Sequence, residues 1–426
     1  MTPSETPDTP VQDGAPSTGS QSDSSADSSG GDHGRRLMSL GDQVLSGASN
    51  FLTVALVARS TSPQGFGHFA LAYAVLLALL SLTRGFWGTP VSLAGSPRES
   101  LAQARRFLSA ALVSAPVMAL AIVVPTLALT RGENWPVVVL VAAAAPVVCG
   151  QDLCRFAAVS ADRPAVAAVS DGIWLVAVCL GYVFHPSAYV ALGIWLAGAG
   201  AGLVVAAGSL RLRPRLQLGV AALQSWHPTG VGVAVLNVSL QVGSYVVLAL
   251  ATVTVGASSA AALRGASSVM APVNTLIGFM SLSLLPMLHR LPERRQLGMI
   301  ARIAALLCVV TAVWCALLLR LPPSLGGLLL GDTWPVARHI LPWTSLEYLL
   351  LVWGTAAMLG LQAREVGRLL VHLGLGSATL MMSAGAVAAV VARSTTSFAI
   401  AQVVSAGTGA VVIWFLYLCI GRSRRR

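Results

Sequence analysis

Residues 136–184 decide the fold of this chain, and they read PVVVLVAAAAPVVCGQDLCRFAAVSADRPAVAAVSDGIWLVAVCLGYVF. Two long apolar runs flank the short polar sequence Asp162-Arg163-Pro164. A run of about 20 apolar residues is long enough to cross roughly 30 Å of hydrocarbon as a helix. Lipid offers the backbone no hydrogen-bond partners, so a spanning segment of this kind must be helical. The stretch therefore predicts a hairpin of two transmembrane helices joined by a tight turn.

Charged residues inside this hairpin lie at matching depths. Asp152 precedes the turn residue Asp162 by ten positions, and Asp171 follows it by nine. Arg155 comes three positions after Asp152, which places both side chains on one face of a helix. The spacing predicts an ion cluster of Asp152, Arg155 and Asp171 across the two helices. Two roles for this cluster stay open: a structural or gating joint, and direct contact with a substrate.

The rest of the chain repeats the apolar pattern. Of its 426 residues, 55% are hydrophobic and only 10% are charged, and the mean hydropathy is +0.75. Soluble domains carry about 25% charged residues, so this composition indicates an integral membrane protein. The predicted fold class is all-α and polytopic, with twelve transmembrane helices. The twelve apolar segments lie at 37–58, 66–95, 106–129, 136–159, 165–184, 188–210, 229–255, 260–288, 298–319, 336–361, 367–391 and 397–420.

The distribution of arginines predicts the orientation. All 27 basic residues are arginine. With the N-terminus inside, 20 arginines fall in inner segments and 5 in outer ones. Because basic residues are retained on the cytoplasmic side, this split predicts that both termini are cytoplasmic in a bacterial plasma membrane. The net charge of +11 follows from that orientation, so we expect no nucleic-acid partner.

Two halves of the chain resemble each other at an offset of 195 residues. Asp42 then aligns with Asn237, and Asp152 aligns with Glu347. Each half thus carries an acid on its fourth helix, and Glu347 joins Asp152, Arg155 and Asp171 as a candidate for the gate or structural ion cluster. Six helices per half give both copies the same direction, a parallel repeat of the kind found in alternating-access transporters. We divide the chain into a disordered acidic cytoplasmic tail at 1–36, six-helix bundles at 37–215 and 216–420, and a basic cytoplasmic end at 421–426.

Helices 1 and 7 carry polar faces that are too costly for lipid. Asp42 and Asn50 share one face of helix 1, and Asn237 and Gln241 share one face of helix 7. A water-filled cavity between the bundles explains these faces, and interhelical hydrogen bonding is the alternative. Asp42 is also a candidate proton or cation site.

Two arginines lie inside predicted helices. Placing a charge at the centre of a bilayer costs at least about 2.5–3.5 kcal/mol, so each needs a reason. Arg84 is deep in helix 2, where it either faces a cavity or pairs with an acid such as Asp42. Arg264 is near the outer start of helix 8, where it either faces a cavity or extends to the interface.

Several function classes are disfavoured by composition. The absence of lysine excludes a phosphate-binding P-loop lysine and Schiff-base chemistry. The six cysteines show no metal-like CxxC spacing, and the predicted loops are too short to form an acceptor domain in water. We therefore expect neither an enzyme nor a bound metal. No cofactor is expected beyond a coupling proton or sodium ion.

Three stretches resemble bacterial polysaccharide flippases of the multidrug/oligosaccharidyl-lipid/polysaccharide superfamily. They are DQVLSGASNFLTVALVARSTSPQGFGHFALAYAV at 42–75, QDLCRFAAVSADRPAVAAVSDGIW at 151–174 and LLLGDTWPVARHILPWTSLEYLLLVWGTAAMLGLQARE at 328–365. The helix count, short loops and repeat fit the same superfamily, and the resemblance covers roughly residues 37–420. The chain departs from this superfamily in its long acidic tail and its lack of lysine.

The resemblance implies two bundles around a cavity that opens alternately to each side of the membrane. It implies a polyprenyl-diphosphate-linked oligosaccharide as substrate, with Arg84 and Arg264 contacting the diphosphate. It also implies membrane lipids and glycan-assembly enzymes as partners. Two alternatives stay open: a cation-coupled small-molecule efflux pump of the same superfamily, and a membrane scaffold with an inactive transport core.

Overall fold

The computed structural model describes residues 45, 47–184, 187–224, 228–364 and 367–423, and its regular elements are all helical. The first half contains α1 (47–59), α2 (Pro63–Thr83), a π turn (Arg84–Gly88), α3 (Thr89–Ser92), α4 (Pro97–Val113), α5 (Ala115–Thr130), α6 (Trp135–Ser160), α7 (Pro164–Phe184) and α8 (Ala188–Ser209). The connecting helix α9 (Leu216–Leu223) follows. The second half contains α10 (Pro228–Thr254), α11 (Ala257–Ser268), α12 (Ala271–Arg290), α13 (Glu293–Leu319), α14 (Pro323–Leu330), a 3-10 turn (Gly331–Thr333), α15 (Trp334–Ala363), α16 (Gly367–Val391) and α17 (Thr395–Ser423).

The predicted fold class is confirmed. In the part of the chain that the structure describes, each of the apolar segments coincides with one helix or with a run of consecutive helical elements. In the described part of the chain, nine helices are long and apolar enough to cross a membrane, and the bent pair α4–α5 makes ten. The predicted tail at 1–36, Asp42 and residues 424–426 of the basic end lie outside the described residues. The bundle boundaries and the cytoplasmic placement of the termini stay predictions.

Three predicted spans depart from a regular continuous helix, and in two of them the departure lies at a proline that the sequence marks as an interruption, Pro90 and Pro272. In the second span, the Thr89 amide donates to the Arg84 carbonyl five residues back, which makes the π turn. Pro90 follows directly and has no amide to continue the ordinary ladder. In the third span, α4 and α5 meet at an angle of 48°. In the eighth, α11 ends at Ser268 and α12 begins at Ala271, followed by a proline that suits a helix start.

The two halves meet mainly along α2, which packs against α10 and α11. Glycine makes this close approach possible at two positions. A Cβ atom on Gly67 would overlap the carbonyl oxygen of Ala257, and one on Gly85 would overlap the backbone of Ala234. In both cases the neighbour is backbone, which has no rotamer change available to make space. The contact between the halves therefore depends on the absence of side chains at these positions.

We expect Gly67→Ala and Gly85→Ala each to destabilise the protein by about 1–3 kcal/mol, the usual cost of overpacking. The measurement is the unfolding free energy in mixed micelles titrated with SDS. Gly172→Ala on α7 is the matched control, because nothing lies within 4 Å of a Cβ atom there. Alanine in an open helical position stabilises by up to about 1 kcal/mol over glycine. Equal unfolding free energies for all three variants would contradict the packing described here.

Candidate functional site

A cavity of about 840 Å³ lies between the two halves. The first half contributes Gly47, Asn50, Tyr73, Leu77, Arg84, Ser92, Asp152, Arg155, Phe156, Val159 and Ser160 to its lining. The second half contributes Gln241, Ser244, Leu248, Leu263, Arg264, Ser267, Ser268, Ala271, Asn274, Thr275, Gly278, Glu347, Tyr348, Met381 and Gln402. Residues of both halves therefore face one shared space.

The cavity opens at one end of the bundle. Ser92, at the end of α3, and Val159, near the end of α6, line the cavity and are exposed. This end also carries the turn between α6 and α7, with Asp162 and Arg163. The arginine distribution predicts that it is the cytoplasmic end, so the predicted orientation makes this an inward-open structure.

The opposite end is closed by contacts between the halves. The Tyr182 hydroxyl on α7 donates to the Leu328 carbonyl on α14. The Arg59 guanidinium lies 4.9 Å from the centre of the Tyr182 ring. In addition, the 3-10 turn of the second half packs against α2. A cavity that is open at one end and sealed at the other is one of the two states that alternating access requires.

Arg84 and Asp152 form the strongest ion pair of the cavity wall. Arg84 Nε donates to Asp152 Oδ2 at 2.8 Å, and its Nη2 donates to Oδ1 at 2.8 Å. The π turn places Arg84 where it reaches α6 across 68 positions of sequence. The Arg84 side chain is 40% exposed, whereas that of Asp152 is 9% exposed, so part of the guanidinium faces the cavity. Arg84 is therefore both ion-paired and exposed to the cavity.

The predicted cluster in the helical hairpin is present in the structure. Arg155 Nη1 donates to Asp152 Oδ1 at 3.3 Å, and Arg155 Nε lies 3.5 Å from Asp171 Oδ2. The Gln151 amide, which the sequence analysis did not single out, donates to Asp171 Oδ1 at 3.1 Å. Only its position next to Asp152, in an apolar helix, signalled a polar role. Arg84, Asp152, Arg155 and Asp171 therefore form a neutral tetrad of two positive and two negative side chains.

Arg264 has a different environment. Its guanidinium carbon lies 5.0 Å from the centre of the Tyr73 ring, within the range of a cation–π contact. Within the described residues, its buried Nε has no hydrogen-bond partner, and no carboxylate pairs with it. Tyr73 is itself oriented towards Asn50, with its hydroxyl 3.5 Å from Asn50 Oδ1. Among the described residues, Arg264 therefore has no counter-charge, and it lines the cavity.

Glu347 does not join the ion cluster. It lines the cavity on α15, and no described residue forms an ion pair or hydrogen bond with it. The adjacent Tyr348 hydroxyl accepts a hydrogen bond from Asn274 Nδ2 at 3.1 Å and contacts the Ser267 carbonyl at 3.5 Å. The positions aligned by the repeat, Asp152 and Glu347, face the same space, but only the first is paired.

Some of the remaining predicted cavity residues line the cavity, and others do not or lie outside the described residues. Asn50 and Gln241 line the cavity, whereas Asn237 is not among the described residues that line it. Asp42 lies outside the described part of the chain, so its predicted cation role stays a prediction. Tyr73 and Tyr348 also line the cavity and were not predicted from the sequence. Each is the single tyrosine of its helix, which was the available signal.

The charges in the cavity determine what it can bind. Because the tetrad is neutral, Arg264 and Glu347 are the two charges of the lining that lack a counter-charge among the described residues. An anionic group of a ligand would pair with Arg264, whose planar guanidinium suits phosphate or carboxylate oxygens. Serine, asparagine and glutamine side chains of the lining supply neutral hydrogen-bonding groups.

Comparison with solved structures shows which known proteins share this architecture. A multidrug resistance MATE family transporter of the MOP superfamily in an inward-facing conformation gives a TM-score of 0.73 at 12% identity, covering 89% of this chain and 95% of that chain. An outward-facing conformation of such a transporter gives 0.63 at 11% identity, covering 92% and 95%. A MOP superfamily transporter from Pyrococcus furiosus gives 0.61 at 12% identity, also covering 92% and 95%.

Neither protein-family profiles nor curated protein sequences match the chain. The likeness to solved structures therefore establishes the fold, and at this level of identity it establishes the fold alone. The chain has the fold of MOP superfamily transporters.

Proposed function

We propose that this protein is a membrane transporter that moves a polyprenyl-diphosphate-linked oligosaccharide across the plasma membrane by alternating access. The observation that carries the proposal is Arg264, which lines a cavity between two halves of a transporter fold and has no counter-charge among the described residues. A charge placed inside the membrane without a counter-charge is expensive, so its retention indicates a ligand that supplies the missing charge. A diphosphate linker has that charge.

The geometry around Arg264 suits a phosphate group. The cation–π contact with Tyr73 holds the guanidinium at the cavity wall, where its planar fork would suit two phosphate oxygens. Arg84 lines the same cavity, and its side chain is partly exposed there. The neutral polar lining would face the sugar hydroxyls, and the lipid tail would remain in the bilayer.

Alternating access would exchange the open and closed ends described above. The Tyr182–Leu328 contact and the packing of the 3-10 turn against α2 would be lost, and the end near Ser92 and Val159 would close. Transporters with this fold have been solved both inward-facing and outward-facing, which supports such an exchange. Glycan-assembly enzymes would supply the lipid-linked substrate on the cytoplasmic side.

The proposal is tested by lipid flipping in vesicles. Purified protein is reconstituted with a fluorescent polyprenyl-diphosphate oligosaccharide, and exposure of the glycan in the opposite leaflet is followed with a membrane-impermeant quencher. We expect protein-dependent exchange of the diphosphate lipid, and little exchange of the same lipid with a neutral linker. Equal rates in vesicles with and without protein would refute the proposal.

A second candidate function is favoured by Glu347. A carboxylate that lines the cavity and has no partner among the described residues suits a proton-coupled or sodium-coupled pump for cationic small molecules. Several proteins that share the fold are multidrug resistance transporters. The two candidates are separated by loading the same vesicles with a cationic dye and imposing a proton or sodium gradient. Gradient-driven dye export without lipid flipping would favour the pump.

A further inference from the structure

The short helix α9 (Leu216–Leu223) lies in the connection between the two halves. Within this connection, α9 packs against the second half of α4. Arg105 Nε on α4 donates to the Arg213 carbonyl at 3.0 Å, and the Arg215 amide donates to Ser109 Oγ at 3.0 Å. A Cβ atom on Gly219 would overlap the Ser109 carbonyl oxygen, so the two helices are in backbone contact. The position of α9 along α4 is thereby fixed.

The sequence of α4 and α5 gives the depth of this contact in the membrane. Arg105 and Arg106 are the last charged residues before a run from Phe107 to Thr130 that contains none. The chain therefore passes from the polar surface into hydrocarbon at about this point. Because α9 contacts α4 at Ser109, and the segment just before α9 contacts Arg105, α9 lies at the boundary between headgroups and acyl chains.

The faces of α9 match such a boundary. Gly219 and Ala222 are buried, on the side that faces α4. Leu216, Val220 and Leu223 are 71%, 50% and 39% exposed, and their spacings of four and three residues place them on one face. Within the described chain nothing covers this apolar face, which is what an interfacial helix presents to acyl chains.

Three arginines precede the apolar face in sequence. Arg211, Arg213 and Arg215 are exposed, and none of them forms an ion pair with a described residue. Arg211 adopts a left-handed backbone conformation with φ 54°, which turns the chain between α8 and α9. Alternating arginines next to an exposed apolar face form a surface that is complementary to anionic headgroups.

We propose that α9 and its three arginines are an interfacial binding site for anionic phospholipid. The apolar face inserts between acyl chains, and the arginines pair with the phosphates of the same leaflet. Each arginine near an anionic surface strengthens binding by about fivefold, so three together give an effect on the order of a hundredfold. Because α9 lies in the connection between the two halves, lipid bound at this site would affect the movement of one half relative to the other. The inference does not depend on which substrate the cavity carries.

The headgroup part is tested by lipid retention. The full chain is prepared in nanodiscs of mixed phosphatidylcholine and phosphatidylglycerol, and lipids that stay bound after release into detergent are counted by native mass spectrometry. We expect phosphatidylglycerol enrichment to be lost in the triple variant R211Q/R213Q/R215Q. The matched control R131Q/R338Q/R393Q removes three exposed arginines from the opposite end, and two of them share the left-handed conformation of Arg211. Equal enrichment in both triple variants would overturn the proposal.

The apolar part is tested by the depth of a spin label. Val220→Cys and Gln217→Cys are labelled separately in a chain whose exposed cysteines Cys179 and Cys419 are replaced by alanine. Both positions are exposed, but Gln217 lies off the apolar face. We expect the label at 220 to collide with oxygen, as lipid-embedded labels do, and the label at 217 to collide with a water-soluble nickel chelate.

The same labels identify any competing occupant. Identical accessibility at the two positions would contradict insertion into the leaflet. The accessibility of the label at position 220 is also measured after removal of the acidic segment 1–34. If it changes with removal of that segment and not with lipid composition, the surface binds the chain's own N-terminal segment, and the lipid proposal is overturned.

Discussion

Replacing Arg264 with alanine is expected to slow transport of a diphosphate-linked substrate by about 10–100-fold, because a charge-assisted hydrogen bond contributes roughly 1.5–3 kcal/mol. The same variant should be as stable as the natural protein. Arg264 has no carboxylate partner among the described residues, so its removal leaves no uncompensated acid behind. Lost transport together with retained stability would show that the charge of Arg264 serves transport and not folding.

The measurement is the initial rate of lipid flipping against substrate concentration, with unfolding followed on the same preparations. Arg264→Lys should recover part of the rate, since it restores the charge but not the planar fork stacked on Tyr73. Ser239→Ala is the control, because this exposed hydroxyl donates only to the carbonyl of its own helix at Val235. A normal rate in Arg264→Ala would remove Arg264 from the mechanism.

Replacing Asp152 with alanine is expected to have the opposite profile, with a loss of about 3 kcal/mol in unfolding free energy. The variant leaves Arg84 and Arg155 without the carboxylate that both contact. Breaking a buried pair costs about 3–5 kcal/mol, and the lower end applies because Arg84 is partly exposed to water in the cavity.

The partner of Asp152 is identified by a double-mutant cycle with Arg84→Ala. We expect a coupling free energy of about 2 kcal/mol, near the upper range for residues in direct contact. Arg163→Ala in the exposed turn between α6 and α7 should change the unfolding free energy by less than about 0.5 kcal/mol. Additive effects of Asp152→Ala and Arg84→Ala would show that the bidentate pair contributes no stability.

The contrast between Arg84 and Arg264 follows from their surroundings. Both are arginines in the membrane-spanning part of the chain, and both line one cavity. The carboxylate of Asp152 neutralises Arg84, whereas Arg264 contacts the Tyr73 ring and has no carboxylate partner among the described residues. In the proposed mechanism, Arg84 stabilises the cavity wall through its ion pair with Asp152, and Arg264 binds the negative charge of the substrate.

Short-range spacing was enough to predict part of the site. The Asp152–Arg155 pair follows from a separation of three residues on one helix, and Asp171 follows from the symmetry of a hairpin about its turn. Glu347 was grouped with this cluster because of the repeat. The repeat aligns positions along the sequence, but it does not determine whether a counter-charge from another helix is present.

By itself, the sequence determined the all-helical membrane fold and the positions of its spans. The physical reason is that lipid forces each apolar run to satisfy its own backbone hydrogen bonds, so length and hydropathy suffice. Only the tertiary structure decided that Arg84 pairs with Asp152, 68 positions away, and that Arg264 and Glu347 stay unpaired among the described residues. The π turn places Arg84 opposite Asp152, and Gly67 in α2 and Gly85 in the π turn allow the second half to approach closely. Such contacts depend on how helices approach each other in space, which no local pattern of residues specifies.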